Sequence, residues 1–176
     1  MNAISALREQ LGAAHWTFEA TMADVTPEHF RWQPPATTNS IADNYLHAVC
    51  GEDEVVQGML QHKPTLASTS WEGRSGLSST PPGAHGSAGW VDWVRDVQVD
   101  LPAVRQYAQA VYAATDQYLA GLTEDDLDRT IDMSSSGLGT QTLNWVLFNF
   151  VIGHAADHMG EIAVLKGFQG LKGLPF

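Results

Sequence analysis

Apolar residues recur at helical spacing in four stretches of the chain. In residues 2 to 23, Ile4, Leu7, Leu11, Ala14, Phe18 and Met22 fall three or four apart, the stripe of an amphipathic helix packing one face inward. Asp24-Val25-Thr26-Pro27 ends it, and Thr26 with Pro27 and Glu28 starts a short N-capped turn. Paired prolines make residues 32 to 38 a loop. A second helix, capped by Asn39 or Ser40, runs to about Gln61. Periodicity resumes with Trp90, Trp93, Val94, Val97 and Leu101 and continues through Val104, Ala108, Val111 and Leu119 to about Gly121. Pro102 interrupts this third segment: either Asp100 caps a fresh helix with Pro102 in its first turn, or one helix kinks there. Thr123 to Leu127 forms a short capped helix, and Ile131 to Gly139 an irregular loop. Thr140 opens the fourth long helix, carrying Leu143, Leu147, Phe150, Val151, Ile162 and Leu165, with Gly167 and Gly170 stopping it.

Between the second and third helices, residues 63 to 87 turn to Pro, Gly, Ser and Thr, including Ser78-Ser79-Thr80-Pro81-Pro82-Gly83. A crossover of that length lets the two flanking helices run parallel, where a tight turn would make them antiparallel. The expected architecture is therefore all-α, a four-helix bundle with a long crossover between helices 2 and 3 and no strand pair. At 176 residues, 44% of them hydrophobic, a single domain spanning 1–176 accommodates it.

Charge and cysteine content narrow the possibilities. With 20 acidic against 9 basic residues, a net charge of -11, the protein's field repels phosphate backbones and anionic lipid, so neither nucleic acid nor membrane is an expected partner. Cys50, the single cysteine, allows no internal disulfide, and neither a secretion signal nor an apolar run of membrane-spanning length is evident. The expected location is the cytoplasm.

The residues that suggest chemistry are His154 and His158, four apart in the fourth helix and in the middle of its inward stripe. Imidazoles at that spacing project from one face a turn apart and can share a divalent ion at about 2.0–2.1 Å, leaving a third ligand to come from another element. His47 leads among the other histidines because it lies in a proline-free helical segment; His15 is the reserve, and His62 and His85 flank the flexible stretch. Ile41, Tyr45, Val49, Val56 and Met59 cluster on the side of the second helix opposite His47. His47 reaches a metal cavity only if that helix is buried on two faces, one lining the cavity with Cys50, Gly51 and Glu54, the other packing on the core or a second subunit; otherwise it is a solvated surface histidine.

Around these histidines, Glu161, Asn44 and Glu54 are candidates to support a ligand from behind, while Asp157 points to the flank. Cys50 is either a soft ligand or inert packing. Trp71, Trp90 and Trp93 either fall near where a bundle mouth would open or, as is more usual for tryptophan, pack in the core or an interface. No Gly-rich nucleotide loop and no G-x-S-x-G occurs, and Ala155 stands where an HExxH protease needs glutamate.

The helix order, Asn39-Ser40-Ile41 followed by Leu46-His47, the closing Gly153-His154-Ala155-Ala156-Asp157-His158-Met159-Gly160-Glu161-Ile162, and the terminal Gly167-Phe168-Gln169-Gly170 resemble the DinB/YfiT superfamily, DNA-damage-inducible-protein-like metal-binding bundles, over nearly the whole chain. The resemblance implies that His47, His154 and His158 hold a divalent ion, zinc or nickel, with water or an exogenous ligand completing its shell. It implies a thiol-dependent S-transferase or hydrolase acting on a small molecule, with a low-molecular-weight thiol as possible cosubstrate, and a homodimer. The competing expectation is a non-catalytic, metal-stabilised stress-response or ligand-binding module.

Overall fold

The computed structural model describes residues 2–34, 39–82 and 89–176; His85 and the parts of the two loops at 35–38 and 83–88 lie outside the described residues. The first helix, α1, spans Ala3–Thr21, with the Asn2 side chain accepting from Ser5 N–H at its start. Thr26 caps the five-residue α2, Pro27–Arg31. Ser40 caps α3, Ile41–Asp53, through a capping box: the Ser40 hydroxyl accepts from Asp43 N–H at 3.1 Å and the Asp43 carboxylate from Ser40 N–H at 2.9 Å. Beyond Asp53 the coil widens into a π-helical segment, Glu54–Leu60, and His62 in the left-handed conformation closes it.

The third long helix is two helices. After α4, Trp90–Asp96, the chain turns and Asp100 caps α5, Leu101–Ala120, accepting from Ala103 N–H with Pro102 in the first turn. A fresh cap, not a kink, accommodates the proline, because the first turn needs no N–H from it. The crossover returns along the start of α5: Leu77 bridges Val99, and Asp100 N–H donates to Gly76 O at 2.8 Å. Gly76 has φ +80°, and a Cβ there would stand 2.6 Å from Val104 N, so only glycine fits.

Two expectations need correction. Residues 131 to 139 are not simply irregular: β1, Thr130–Asp132, pairs antiparallel with β2, Thr140–Thr142, with Ile131 opposite Gln141. Thr140 therefore lies in a strand, and the final helical stretch begins with α6, Leu143–Leu147, capped by Thr142. A π-helical turn, Phe148–Ile152, joins α6 to α7, Gly153–Phe168. With this small hairpin as the exception, the fold is an all-α helical bundle.

Side-chain pairings fix the direction of each bundle helix. Arg8 near the start of α1 meets Asp116 near the end of α5, while Glu19 near the end of α1 meets Arg105 near the start of α5, so α1 and α5 are antiparallel. Tyr45 early in α3 donates to Glu19 and Glu52 late in α3 meets His15, so α3 also opposes α1 and runs parallel to α5, as the crossover predicts. His158 against Asn44 and His154 against His47 make α7 antiparallel to α3.

The core divides into two apolar clusters. One contains Phe18, Tyr45, Val49, Trp90, Tyr107, Val111 and Ile162; the other contains Leu11, Val55, Val56, Leu119, Leu143, Leu147 and Val151. Between them each bundle helix contributes polar side chains: His15 from α1, Glu52 and Asp53 from α3, Thr115 from α5, His154 and His158 from α7. Glu52 accepts from Thr115 at 2.6 Å and pairs with His15 at 2.8 Å, and His15 stacks on Tyr112 at 3.8 Å, so the buried groups of this layer are partnered.

Candidate metal centre

Helix α3 is buried around nearly its full circumference, from Ile41 through Asp53, which resolves the two-sided burial that His47 requires. One side carries Ile41, Tyr45 and Val49 into the core; another presents His47 to α7. The apolar face of the second helix, expected to be available to a second subunit, is thus consumed within the chain.

On α7 the two histidines face α3. His154 Nε2 lies 2.8 Å from His47 Nε2 and 3.1 Å from His158 Nε2, and ligand atoms of all three residues fall within 4.8 Å of one another. Ring centroids are 4.5 to 4.7 Å apart with planes within a few degrees of perpendicular, so the rings meet edgewise around one point instead of stacking. Two nitrogens bound to one tetrahedral ion at about 2.0–2.1 Å stand roughly 3.3 Å apart, close to the spacing seen. Each of the three residues is half-buried.

The tautomer of His158 follows from its neighbours. Its Nδ1 faces Glu161 Oε2 at 2.8 Å and Asn44 Oδ1 at 3.2 Å. A carboxylate only accepts, and Asn44 is oriented by donating its own Nδ2–H to Ser40 O at 3.2 Å. Nδ1 therefore carries the proton and Nε2 is a bare lone pair aimed at the cluster centre, the form a metal ligand takes. The donor set fits a divalent ion, so the three histidines could hold one.

Backbone geometry brings the helices close. A Cβ at Gly51 would touch His154 Cε1 at 3.6 Å and His47 Nδ1 at 3.8 Å, so anything longer than alanine would press into the cluster. The π turn ends at Gly153, where a Cβ would lie 2.9 Å from Phe148 O, and His154 follows directly. The second π segment thus ends beside a ligand position, a placement common at functional sites, while the first begins seven residues after His47.

Of the supporting candidates, Glu161 and Asn44 contact His158 as described. Glu54 does not reach a histidine: it makes no hydrogen bond among the described residues, and its carboxylate folds back over Gly58, whose Cβ would be 2.7 Å from Oε1. Asp157 is exposed. Cys50 is excluded from the ligand cluster and its thiol is pushed up to about 12 by burial, with the Asp53 charge adding to it. His15 belongs to the Glu52 pair. Trp90, 2% exposed, forms a wall with its ring 5.8 Å from that of His47 and nearly edge-on. The sequence placed Trp90 near the bundle mouth but gave no sign of its partner, because the crossover intervenes.

No functionally curated protein is matched by this chain. Among solved structures it is similar to the crystal structure of the conserved protein of locus from Enterococcus faecalis, at 22% identity and a TM-score of 0.76, covering 94% of this chain and 96% of that one. At that identity the likeness shows the fold. The profile of the DinB superfamily matches residues 10–162, which include all three clustered histidines and both side chains behind His158, and the chain belongs to that superfamily.

Proposed function

We propose that His47, His154 and His158 hold one divalent ion, zinc or nickel, and that the protein is a metal-dependent thiol S-transferase or hydrolase acting on a small molecule. The observation that carries this reading is the convergence of the Nε2 atoms of three half-buried histidines, with Glu161 and Asn44 fixing the His158 tautomer. Three protein nitrogens leave a coordination position for an outside ligand, the composition of catalytic rather than structural zinc sites. An ion bound there supplies Lewis acidity, bringing a bound water toward pKa 7 or holding a thiol as thiolate. Glu161 keeps the Nδ1 proton on His158 and offsets positive charge behind the ring. The buried Trp90 ring walls the side of His47 that faces the core.

Assay of zinc- and nickel-loaded protein for thiol addition to a panel of small electrophiles, and for ester and amide hydrolysis, tests the reading. Metal-dependent turnover that His154→Ala abolishes is expected; metal-loaded protein with neither activity contradicts it.

A second reading, that the ion serves folding, is favoured by the position of the cluster as a tie between α3 and α7 at the polar layer. It expects chelation to lower Tm with no turnover to lose. Homodimerisation belongs to the main reading, with exposed Val164 and Phe168 on α7 as available apolar surface; sedimentation equilibrium at micromolar concentration checks it.

A further inference from the structure

The seam between α1 and α5 lies across the bundle from the seam between α3 and α7 that holds the histidine cluster, since α1 and α3 each pack against both α5 and α7. It carries a recess of about 580 Å³, within the range of small-molecule sites. Gly12 stands on its wall, where a Cβ would meet nothing within 4 Å. Glycine inside a helix is destabilising, and here it leaves open the space a side chain would take. Trp16 borders the same space, 65% exposed, with its indole in no hydrogen bond or ring contact among the described residues.

His15 supplies the polar group. It lines the recess although only 7% exposed. Its Nε2 donates to Glu52 at 2.8 Å and its face stacks on Tyr112 at 3.8 Å, which fixes the orientation of the ring. With the proton on Nε2, the neutral ring keeps a lone pair on Nδ1. That nitrogen has no hydrogen-bond partner among the described residues, and it is not sealed from solvent. It is an acceptor open to a donor from outside the chain. The charges of the seam are already matched: Glu19 takes Arg105 and the hydroxyls of Tyr45 and Tyr112, and Asp116 takes Arg8.

We propose that this recess binds a small, neutral, flat aromatic molecule bearing a hydroxyl or N–H group, its ring against Trp16 in the space beside Gly12 and its donor on His15 Nδ1. The exposed indole offers a face for stacking. A charged ligand would meet no unpaired partner of opposite sign. A second copy of the chain suits the recess less well, because ion pairs cross the seam on both sides of Trp16, Arg8 with Asp116 and Glu19 with Arg105, and interrupt the continuous channel a helix needs. The site is separate from the histidine cluster and does not depend on an ion there.

Calorimetric titration at neutral pH with 2-naphthol, 2-methoxynaphthalene and 2-naphthoate tests this, since the three share a ring system and differ in carrying a donor, no donor or a negative charge. 2-Naphthol should bind one per chain and at least about threefold more tightly than either of the others, the worth of one net hydrogen bond. Gly12→Leu, which fills the space, should weaken it at least about tenfold, and Trp16→Ala about threefold, the worth of an aromatic pair. His15→Gln, whose amide can still donate to Glu52, should bind 2-naphthol and 2-methoxynaphthalene alike. His154→Ala should leave all affinities unchanged. Should His15→Gln fail to fold, the comparison of the three ligands and Gly12→Leu decide the matter. The proposal is wrong if none of the three binds, if 2-naphthoate binds best, or if Gly12→Leu binds as well as wild type. It is wrong also if His154→Ala loses binding, which puts the ligand at the histidine cluster, or if the protein is a dimer that Trp16→Ala dissociates, which puts a second copy in the recess.

Discussion

The three clustered histidines are a matter of individual hydrogen bonds. His158 presents a bare Nε2 because Glu161 and Asn44 both demand a proton on Nδ1. Glu161→Gln replaces an acceptor-only group with one that can donate, loosening that control, and Asn44→Ala removes the second acceptor. Each should weaken metal affinity by about 10–100-fold with little change in helicity, measured by competition with a chromophoric chelator. At Cys50, burial raises the thiol to about 12, so native protein at pH 8 should resist iodoacetamide and react only once unfolded. The four-residue spacing of His154 and His158 was legible because helical geometry alone puts both on one face. His47 was less so, since the periodicity of its helix assumed a single buried side, and burial all round α3 is a tertiary outcome. Glu54 was misjudged for a related reason: sharing a face with His47 does not bring a carboxylate seven residues away into contact with it.

Among the elements, capping chemistry was read well from local residues and wide or paired backbone was not. Ser40 with Asp43, Thr26 and Asp100 all act as caps in the structure, the last deciding that Pro102 begins a helix. Asp100→Ala should cost about 1 kcal/mol in urea denaturation, the usual loss for an N-cap. The β1–β2 hairpin escaped because its strands are three residues each, Thr-Ile-Asp and Thr-Gln-Thr, too short and too polar to show alternation. Its stability comes from Met133, buried beneath it, and from the backbone bonds Met133 N–H to Gly139 O and Leu143 N–H to Arg129 O, both 2.7 Å. Neither π segment has a sequence signature, because apolar residues continue through both. Glu52 joins three helices at once. Glu52→Ala strands a buried His15, leaving the Thr115 hydroxyl only Val111 O to donate to, and should destabilise by about 3 kcal/mol, read from the same unfolding curves.

For the whole molecule, the long crossover dictated that α3 and α5 run parallel, and that topology places the start of the crossover against Asp53 and puts Thr80 and Pro81 beside the same small cavity as Trp90. Two apolar clusters separated by a polar layer supply a stable frame in which ligands from α3 and α7 are held before any ion arrives. The alkaline response of stability follows from buried acids. Burial raises Tyr45, Tyr107 and Tyr112 well above the usual phenol range and Cys50 to about 12. In the unfolded chain these groups ionise near their ordinary values, about 9 to 10, while the folded chain keeps them protonated. The unfolded state then binds fewer protons, so stability is intact below about pH 9 and falls as pH rises past it, by up to about 1.4 kcal/mol per unit for each group. Chemical denaturation between pH 8 and 11 should show this decline, with Cys50→Ala shallower in its first part. The most direct test of the account is metal stoichiometry by elemental analysis after zinc loading and removal of excess. Wild-type protein should retain one ion per chain and His47→Ala, His154→Ala and His158→Ala far less than one, at unchanged helical circular dichroism; stoichiometric zinc retained by all three variants would contradict it.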